Sequence, residues 1–267
     1  MSVTIDQNRC TGCGECVKDC PVGVLRIENN LAGAVKPENC INCQHCLAIC
    51  PAGAVTFNGI TAADCFPAGT LPEPETVINL LRMRRSIRQF SEREVPPEIL
   101  QKLLSQLKYS PTGCNDHRLQ FFLAEKRSDM MIFRNEVNAA LKKLIKSPLR
   151  FFLPRRYRKF LKTLTPESDL VFRNAPHLLL CATPKNAPCA KDDPTIALTQ
   201  FEILCQSYGI GCCWCGFGVR AFKYVKSLKK RLNLDKDYQI GGVLLFGYPE
   251  ISYPRSTCPE ELKITRF

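Results

Sequence analysis

Two blocks of cysteine constrain this chain more than any other feature of it. Cys10, Cys13, Cys16 and Cys20, followed by Pro21, recur as Cys40, Cys43, Cys46 and Cys50, followed by Pro51, each 30 positions further on. A repeat that keeps its cysteines, its prolines and their spacing is a repeat of ligands. The chain has 267 residues and 17 cysteines. Disulfide frameworks of that density belong to short exported chains. The opening residues, Met-Ser-Val-Thr-Ile-Asp-Gln-Asn-Arg, carry neither a basic n-region nor an apolar h-region, so the expected location is the cytoplasm. In a reducing compartment, metal ligation or redox chemistry is the better use of these thiols. No window approaches the ~18 apolar residues that span a bilayer. At 45% hydrophobic and 23% charged, the composition excludes wholesale disorder, and the length suits about two domains.

Each block reads C-x2-C-x2-C-x3-C-P, a run that resembles the bacterial two-cluster ferredoxins. There the first three cysteines bind one cluster and the fourth crosses to the other. The resemblance implies one [4Fe–4S] centre on Cys10, Cys13, Cys16 and Cys50, and a second on Cys40, Cys43, Cys46 and Cys20. Gly12, Gly14 and Ala48 are small residues beside the ligands, which lets backbone N–H groups approach the sulfides. Paired zinc knuckles are the competing reading. Zinc sites commonly use two C-x2-C pairs across a longer loop, a pattern that two tandem four-cysteine runs fit poorly. This module is expected over 1–65. Three prolines and a glycine in 66–75 then make a stiff linker.

From 76 to 267 the pattern is mixed α and β. Val77, Ile78, Leu80, Leu81 and Met83 have helical spacing, and Pro97 opens a second helix carrying Leu100, Leu103, Leu104 and Leu107. Buried strands are expected at 119–124, 177–182 and 239–246, with a helix over 194–208 stopped by Gly209. The fold class is α+β, with sheet and helices in layers.

Three stretches here suit a phosphate-bearing ligand. Arg84-Arg85-Ser86-Ile87-Arg88-Gln89-Phe90 offers three cations and a hydroxyl. Tyr109-Ser110-Pro111-Thr112-Gly113-Cys114-Asn115 is a turn of small and hydroxyl residues. Tyr208-Gly209-Ile210-Gly211-Cys212-Cys213-Trp214-Cys215-Gly216 exposes backbone at its glycines. With Gly247-Tyr248-Pro249, their order and spacing resemble the FMN-dependent nitroreductase family, and the whole chain is similar to a ferredoxin–nitroreductase fusion of anaerobes. That family's domain implies a central, mostly antiparallel sheet flanked by helices. It also implies that Arg84, Arg85, Ser86 and Arg88 contact the FMN phosphate, ribityl chain and pyrimidine edge. Pro111, Thr112, Gly113 and Asn115 would line the isoalloxazine from the second subunit of a homodimer. Ile210, Gly211 and Cys212 would offer main-chain N–H groups near N5, and Arg255 matches a late phosphate-binding arginine. Asp116-His117-Arg118 stands where the family often has Gln-Pro, which is a departure on the substrate side.

The expected function is an oxidoreductase using two [4Fe–4S] clusters and FMN to reduce a small organic acceptor such as a nitroaromatic, quinone or activated alkene. Its net charge of +12 invites an acidic donor such as a ferredoxin or flavodoxin, with NAD(P)H as the alternative. A non-catalytic electron carrier is the rival reading. The segment 141–163 holds nine Lys and Arg, no acid and several Phe and Leu. It reads as a solvated helical face and lid, ahead of donor docking or anionic-membrane contact. No nucleic-acid module accompanies the charge. No catalytic residue is assigned. His117 is the nearest candidate acid, and His45 and His177 read as structural. The nine remaining cysteines read as packing residues rather than as a third metal site at Cys212, Cys213 and Cys215.

Overall fold

The computed structural model describes residues 3–148 and 169–267, so the 149–163 part of the basic segment lies outside the described residues. The chain divides into two compact units. One is Met1–Leu71 together with Cys114–Asp116, and the other is Pro72–Gly113 together with His117–Phe267.

The first unit repeats its backbone as it repeats its cysteines. Strand β1 (Val3–Ile5) pairs antiparallel with β4 (Val55–Phe57), and β2 (Leu25–Glu28) pairs with β3 (Leu31–Ala34). Helices α1 (Glu15–Lys18) and α2 (His45–Ile49) occupy equivalent places in the two blocks. Left-handed residues recur at the same offset: Gly12 with Asn42, Gly14 with Gln44, and Gly23 with Gly53. These turns wrap each cysteine run back on itself. At Gly12 a Cβ would stand 2.0 Å from the Asn30 carbonyl oxygen, so only glycine fits. The second block meets the same left-handed φ with Asn42 and Gln44. The core is Val3, Cys16, Val24, Leu25, Ala32, Leu47, Val55 and Phe57. A unit this small generally needs a covalent or metal staple.

The second unit is built on one antiparallel sheet ordered β5 (Gln120–Ala124), β6 (His177–Pro184), β8 (Tyr238–Gly247), β7 (Gly211–Trp214). All eight residues of β6 are buried, so both faces of the sheet are covered. Leu178, Leu180 and Ala182 pack with Met130, Val137 and Phe222, whereas Leu179 and Cys181 pack with Leu103, Leu198 and Phe201. That alternation assigns the helices to two layers. On one face lie α5 (Arg127–Lys146), α7 (Gly216–Tyr224) and α8 (Lys226–Leu232). On the other lie α4 (Pro97–Ser105) and α6 (Asp193–Ser207). Helix α3 (Pro74–Met83) opens the unit and leaves Val77, Ile78, Leu81 and Met83 exposed. No helix among the described residues is long and apolar enough to cross a membrane.

His177 is structural. It is fully buried, stacks on Phe246 with ring centroids 5.0 Å apart, and accepts the Val95 N–H on Nε2 at 2.8 Å. That bond requires an unprotonated Nε2, and burial lowers the pKa of the ring. The folded state therefore holds this proton less tightly than the unfolded chain. Stability from this site is complete above the unfolded value of about 6.5 and is lost as pH falls below it. Urea unfolding followed through Trp214 emission should show a midpoint that drops between pH 7 and pH 5. His177→Gln, whose amide oxygen accepts the same bond without titrating, should flatten that slope; an equal slope in both proteins would contradict the assignment.

Candidate functional site

Two cavities in the first unit divide the eight repeated cysteines. Cys10, Cys13, Cys16 and Cys50 line one, with Ile5, Ala32, Ala54 and Val55. Cys20, Cys40, Cys43 and Cys46 line the other, with Val3, Val24, Leu25 and Phe57. In each, three thiols come from one block and the fourth from the other block. Backbone N–H groups already point at sulfur: Val24 at Cys20 Sγ and Ala54 at Cys50 Sγ, both at 3.3 Å, and Ala32 at Cys10 Sγ at 3.4 Å. Such donors stabilise thiolate and sulfide charge. Burial pushes the Cys46 thiol up to about 11 and raises Cys16. Thiolates in these apolar cavities therefore call for a compensating cationic metal centre. Among the described residues no three His, Cys, Asp or Glu side chains gather closely enough for a single metal ion. His45 Nδ1 lies 3.1 Å from Asp19 Oδ2, so His45 belongs to a surface pair.

In the second unit three of the four motifs meet. The Ile87 N–H donates to the Cys212 carbonyl at 2.8 Å, and Ser86 bridges Cys212 in parallel. Ser91 N donates to Tyr248 O at 2.9 Å, and Glu250 N donates to Gln89 O at 3.1 Å. The arginine segment is thus held between the edge strand β7 and the Gly-Tyr-Pro turn. Beside it opens a cavity lined by Arg84, Arg85, Ile87, Ile210, Gly211 and Cys212, with Met83, Glu202, Gln206, Gly209, Pro249 and Tyr253 completing the wall. A Cβ on Gly211 would stand 2.2 Å from Ile87 Cγ1, so glycine is what lets the two segments close. Among the described residues, Arg85 Nη2 is buried with no hydrogen-bond partner. An orphaned guanidinium nitrogen beside an arginine-lined cavity fits an anionic ligand group.

The 208–216 stretch is not the open turn its glycines suggest, because residues 211–214 form β7, paired with β8 from Gly211–Gly247 to Trp214–Leu244. The Ile210 N–H is already donated to Cys205 O at 3.0 Å in the helix C-cap. Cys212 is buried, and hydrogen bonding to the Cys205 thiol, then burial, holds its thiol well above the usual range. Burial also pushes Cys215 up to about 11 and Cys181 up to about 12. These are neutral packing thiols, not nucleophiles.

The remaining candidates lie elsewhere. Ser86 is half-buried, whereas Arg88 is exposed and donates to Ser86 O at 3.4 Å. The 109–115 turn does not line this cavity. It is anchored on α6, where Ser110 Oγ bonds Gln200 Oε1 at 2.6 Å and the Gly113 N–H donates to Asp193 Oδ1 at 3.0 Å. Pro111 is exposed and Thr112 Oγ1 accepts the His117 N–H at 3.0 Å. Asn115, which packs with the first unit, donates to Ile41 O at 3.0 Å. Arg255 is exposed in the C-terminal segment, two residues beyond Tyr253 of the cavity wall.

Glu202 was missed in the sequence. It lines the cavity, is 4% exposed, and bonds both Arg84 and Trp214. A signal existed: it is an acid at helical spacing among the apolar Ala197, Leu198, Phe201 and Cys205.

Comparison with known proteins agrees with this division. Residues 2–51 match the model of a 4Fe-4S dicluster domain. A 31-residue stretch, 12% of the chain, is 52% identical to Ferredoxin-2 of Desulfomicrobium norvegicum; the chain spans about half, 52%, of that ferredoxin. Three solved structures share the fold of the larger part. An FMN-dependent nitroreductase from Clostridium difficile R20291 is 18% identical, with a TM-score of 0.57 over 73% of this chain and 100% of its own. Nitroreductases with bound FMN from Bacteroides fragilis (17%, TM-score 0.58, 71% and 98%) and Desulfitobacterium hafniense (19%, TM-score 0.58, 72% and 97%) are similar. Residues 81–248, more than half of the chain, match the nitroreductase family model. The chain belongs to the nitroreductase family and carries a 4Fe-4S dicluster domain ahead of its nitroreductase domain.

Proposed function

We propose that this protein is an FMN-dependent oxidoreductase that passes electrons from an acidic low-potential carrier through two [4Fe–4S] clusters to FMN, reducing a small organic acceptor. The observation that carries this reading is the partition of the eight cysteines into two four-thiol cavities on the same chain as the arginine-lined cavity. Bound, the clusters supply one-electron transfer and FMN supplies two-electron reduction. The chain's part is to hold and tune them. Cys10, Cys13, Cys16 and Cys50 would take one cluster, and Cys20, Cys40, Cys43 and Cys46 the other. Arg84, Arg85, Ser86 and Arg88 would take the flavin's phosphate and polar edge, with Gly211 and Cys212 against its ring and Arg255 at its phosphate. Ile87, Ile210 and Met83 keep water from the inner wall.

The flavin site is completed by a second copy of the chain. Pro111, Thr112, Gly113 and Asn115 do not line this chain's cavity, and α3 leaves an apolar face uncovered. The C-terminal Leu262, Ile264 and Phe267 are exposed as well and suit pairing with a partner's edge. Flavin-loaded protein should sediment at about twice the chain mass of 30.1 kDa; a flavin-loaded monomer would refute this arrangement.

An acidic donor is favoured by the net charge and by exposed Lys142, Lys143, Lys226, Lys229 and Lys230. Reduced ferredoxin should reduce the flavin at a rate that falls steeply as ionic strength passes ~0.1 M, where the screening length is about 10 Å. Cys13→Ala, still carrying flavin, should lose ferredoxin-driven turnover but keep reduction by a chemical hydride donor. Rapid reduction by NADH, with slow and salt-independent reduction by ferredoxin, would overturn the donor assignment.

A further inference from the structure

Helix α6 turns Pro194, Ala197, Leu198, Phe201 and Cys205 into the core, and Glu202 lies on that same buried stripe. An ionised carboxylate in such a place must be paired. Both of its oxygens are. Oε1 accepts from Arg84 Nη1 at 3.0 Å, and Oε2 accepts the indole N–H of Trp214, the chain's single tryptophan, at 2.9 Å. The two partners differ in exposure: the Glu202 side chain is 5% exposed and the Arg84 side chain 40%. Both line the same cavity. The bond to Glu202 is the hydrogen bond that Arg84's side chain makes among the described residues, and a guanidinium has five N–H donors. One edge of Arg84 is therefore held from behind, on a side chain that lines the cavity and is 40% exposed.

This geometry points to a positioning role for Glu202. We propose that Glu202, itself fixed by Trp214, holds the Arg84 guanidinium so that its remaining donors receive the phosphate of the flavin. The inference rests on the flavin reading given above. It adds that recognition of the phosphate depends on a residue that need not touch it. The pair is nearly neutral, so Arg84 would contribute directed hydrogen bonds, while Arg85 and Arg88 contribute the net positive charge.

The test compares FMN with riboflavin, which lacks the phosphate, on flavin-stripped protein that keeps its clusters. Glu202→Gln retains an oxygen for Arg84 but turns an amide N–H2 toward the indole N–H, so one of the two bonds is lost. It should weaken FMN binding about tenfold and change riboflavin binding less than twofold. Arg84→Lys, which keeps the charge but not the fork, should do the same. The double variant should be no worse than the weaker single one, because both changes remove one arrangement. Circular dichroism controls for folding, and Trp214→Phe provides a second variant that should also lower FMN affinity selectively. Equal loss of FMN and riboflavin in Glu202→Gln, or additive losses in the double variant, would overturn the positioning role. So would selective loss in Arg84→Lys with Glu202→Gln unchanged, and in that case the flavin reading would stand. Wild-type protein that binds neither flavin would overturn both.

Discussion

Cys50→Ser should empty the cluster site built on Cys10, Cys13 and Cys16 and leave the site containing Cys40, Cys43 and Cys46 intact. Sequence proximity suggests the opposite, since Cys50 closes the second block. The cavities place it with the first. Iron should fall from about eight to about four per chain, the content of one remaining [4Fe–4S] cluster. Cys20→Ser should remove the other four. The two variants then diverge when combined with a same-cavity change: Cys50→Ser with Cys13→Ser should lose no more iron than either alone, whereas Cys50→Ser with Cys43→Ser should lose nearly all of it. Iron and sulfide assays on anaerobically prepared protein decide the matter. Additive loss from the Cys50 and Cys13 pair would contradict the crossed arrangement. Because the core of the first unit is small, the double loss should also unfold it.

Arg84→Ala is the second large effect, and it acts twice. On the flavin site proposed above it removes a donor to the anionic end, which should weaken FMN binding by roughly 10- to 100-fold, since hydrogen bonds to charged groups contribute about 1.5–3 kcal/mol. It also leaves Glu202 buried without its cation. Breaking a buried pair typically costs about 3–5 kcal/mol, and the 40% exposure of the Arg84 side chain places this case at about 3 kcal/mol or below. The two losses can be separated. Arg84→Ala combined with Glu202→Leu removes the stranded charge and should restore most of the unfolding stability without restoring FMN affinity. Denaturant unfolding and flavin titration on the same three proteins check it. Stability unchanged in Arg84→Ala would contradict the pairing, and affinity restored in the double variant would contradict a direct role for Arg84.

What the sequence made legible follows the strength of the underlying constraint. The cysteine blocks were readable because ligand spacing is dictated by the bonded group and tolerates little drift. The strands at 177–182 and 239–246 were readable because both faces of β6 and most of β8 are buried, which demands unbroken apolar runs. Helix α6 ended where Gly209 takes a positive φ of 70°. Strand β7 was not readable. Its Gly-Cys-Cys-Trp has no alternation, and it is a strand because β8 and the Ser86–Ile87 segment pair with it from either side. Helix α5 was also missed over most of its length, since charges interrupt its apolar positions and only Met130, Val137 and Asn138 are buried. Glu202 acquires its meaning only from Arg84, 118 positions away.

One chain is proposed to carry two four-cysteine cluster sites and one flavin site. Anaerobic purification followed by iron, sulfide and flavin quantitation per chain tests it most directly. Two clusters and one flavin require about eight irons, about eight sulfides and about one FMN; about four irons, zinc in place of iron, or cluster-replete protein without flavin would refute that composition.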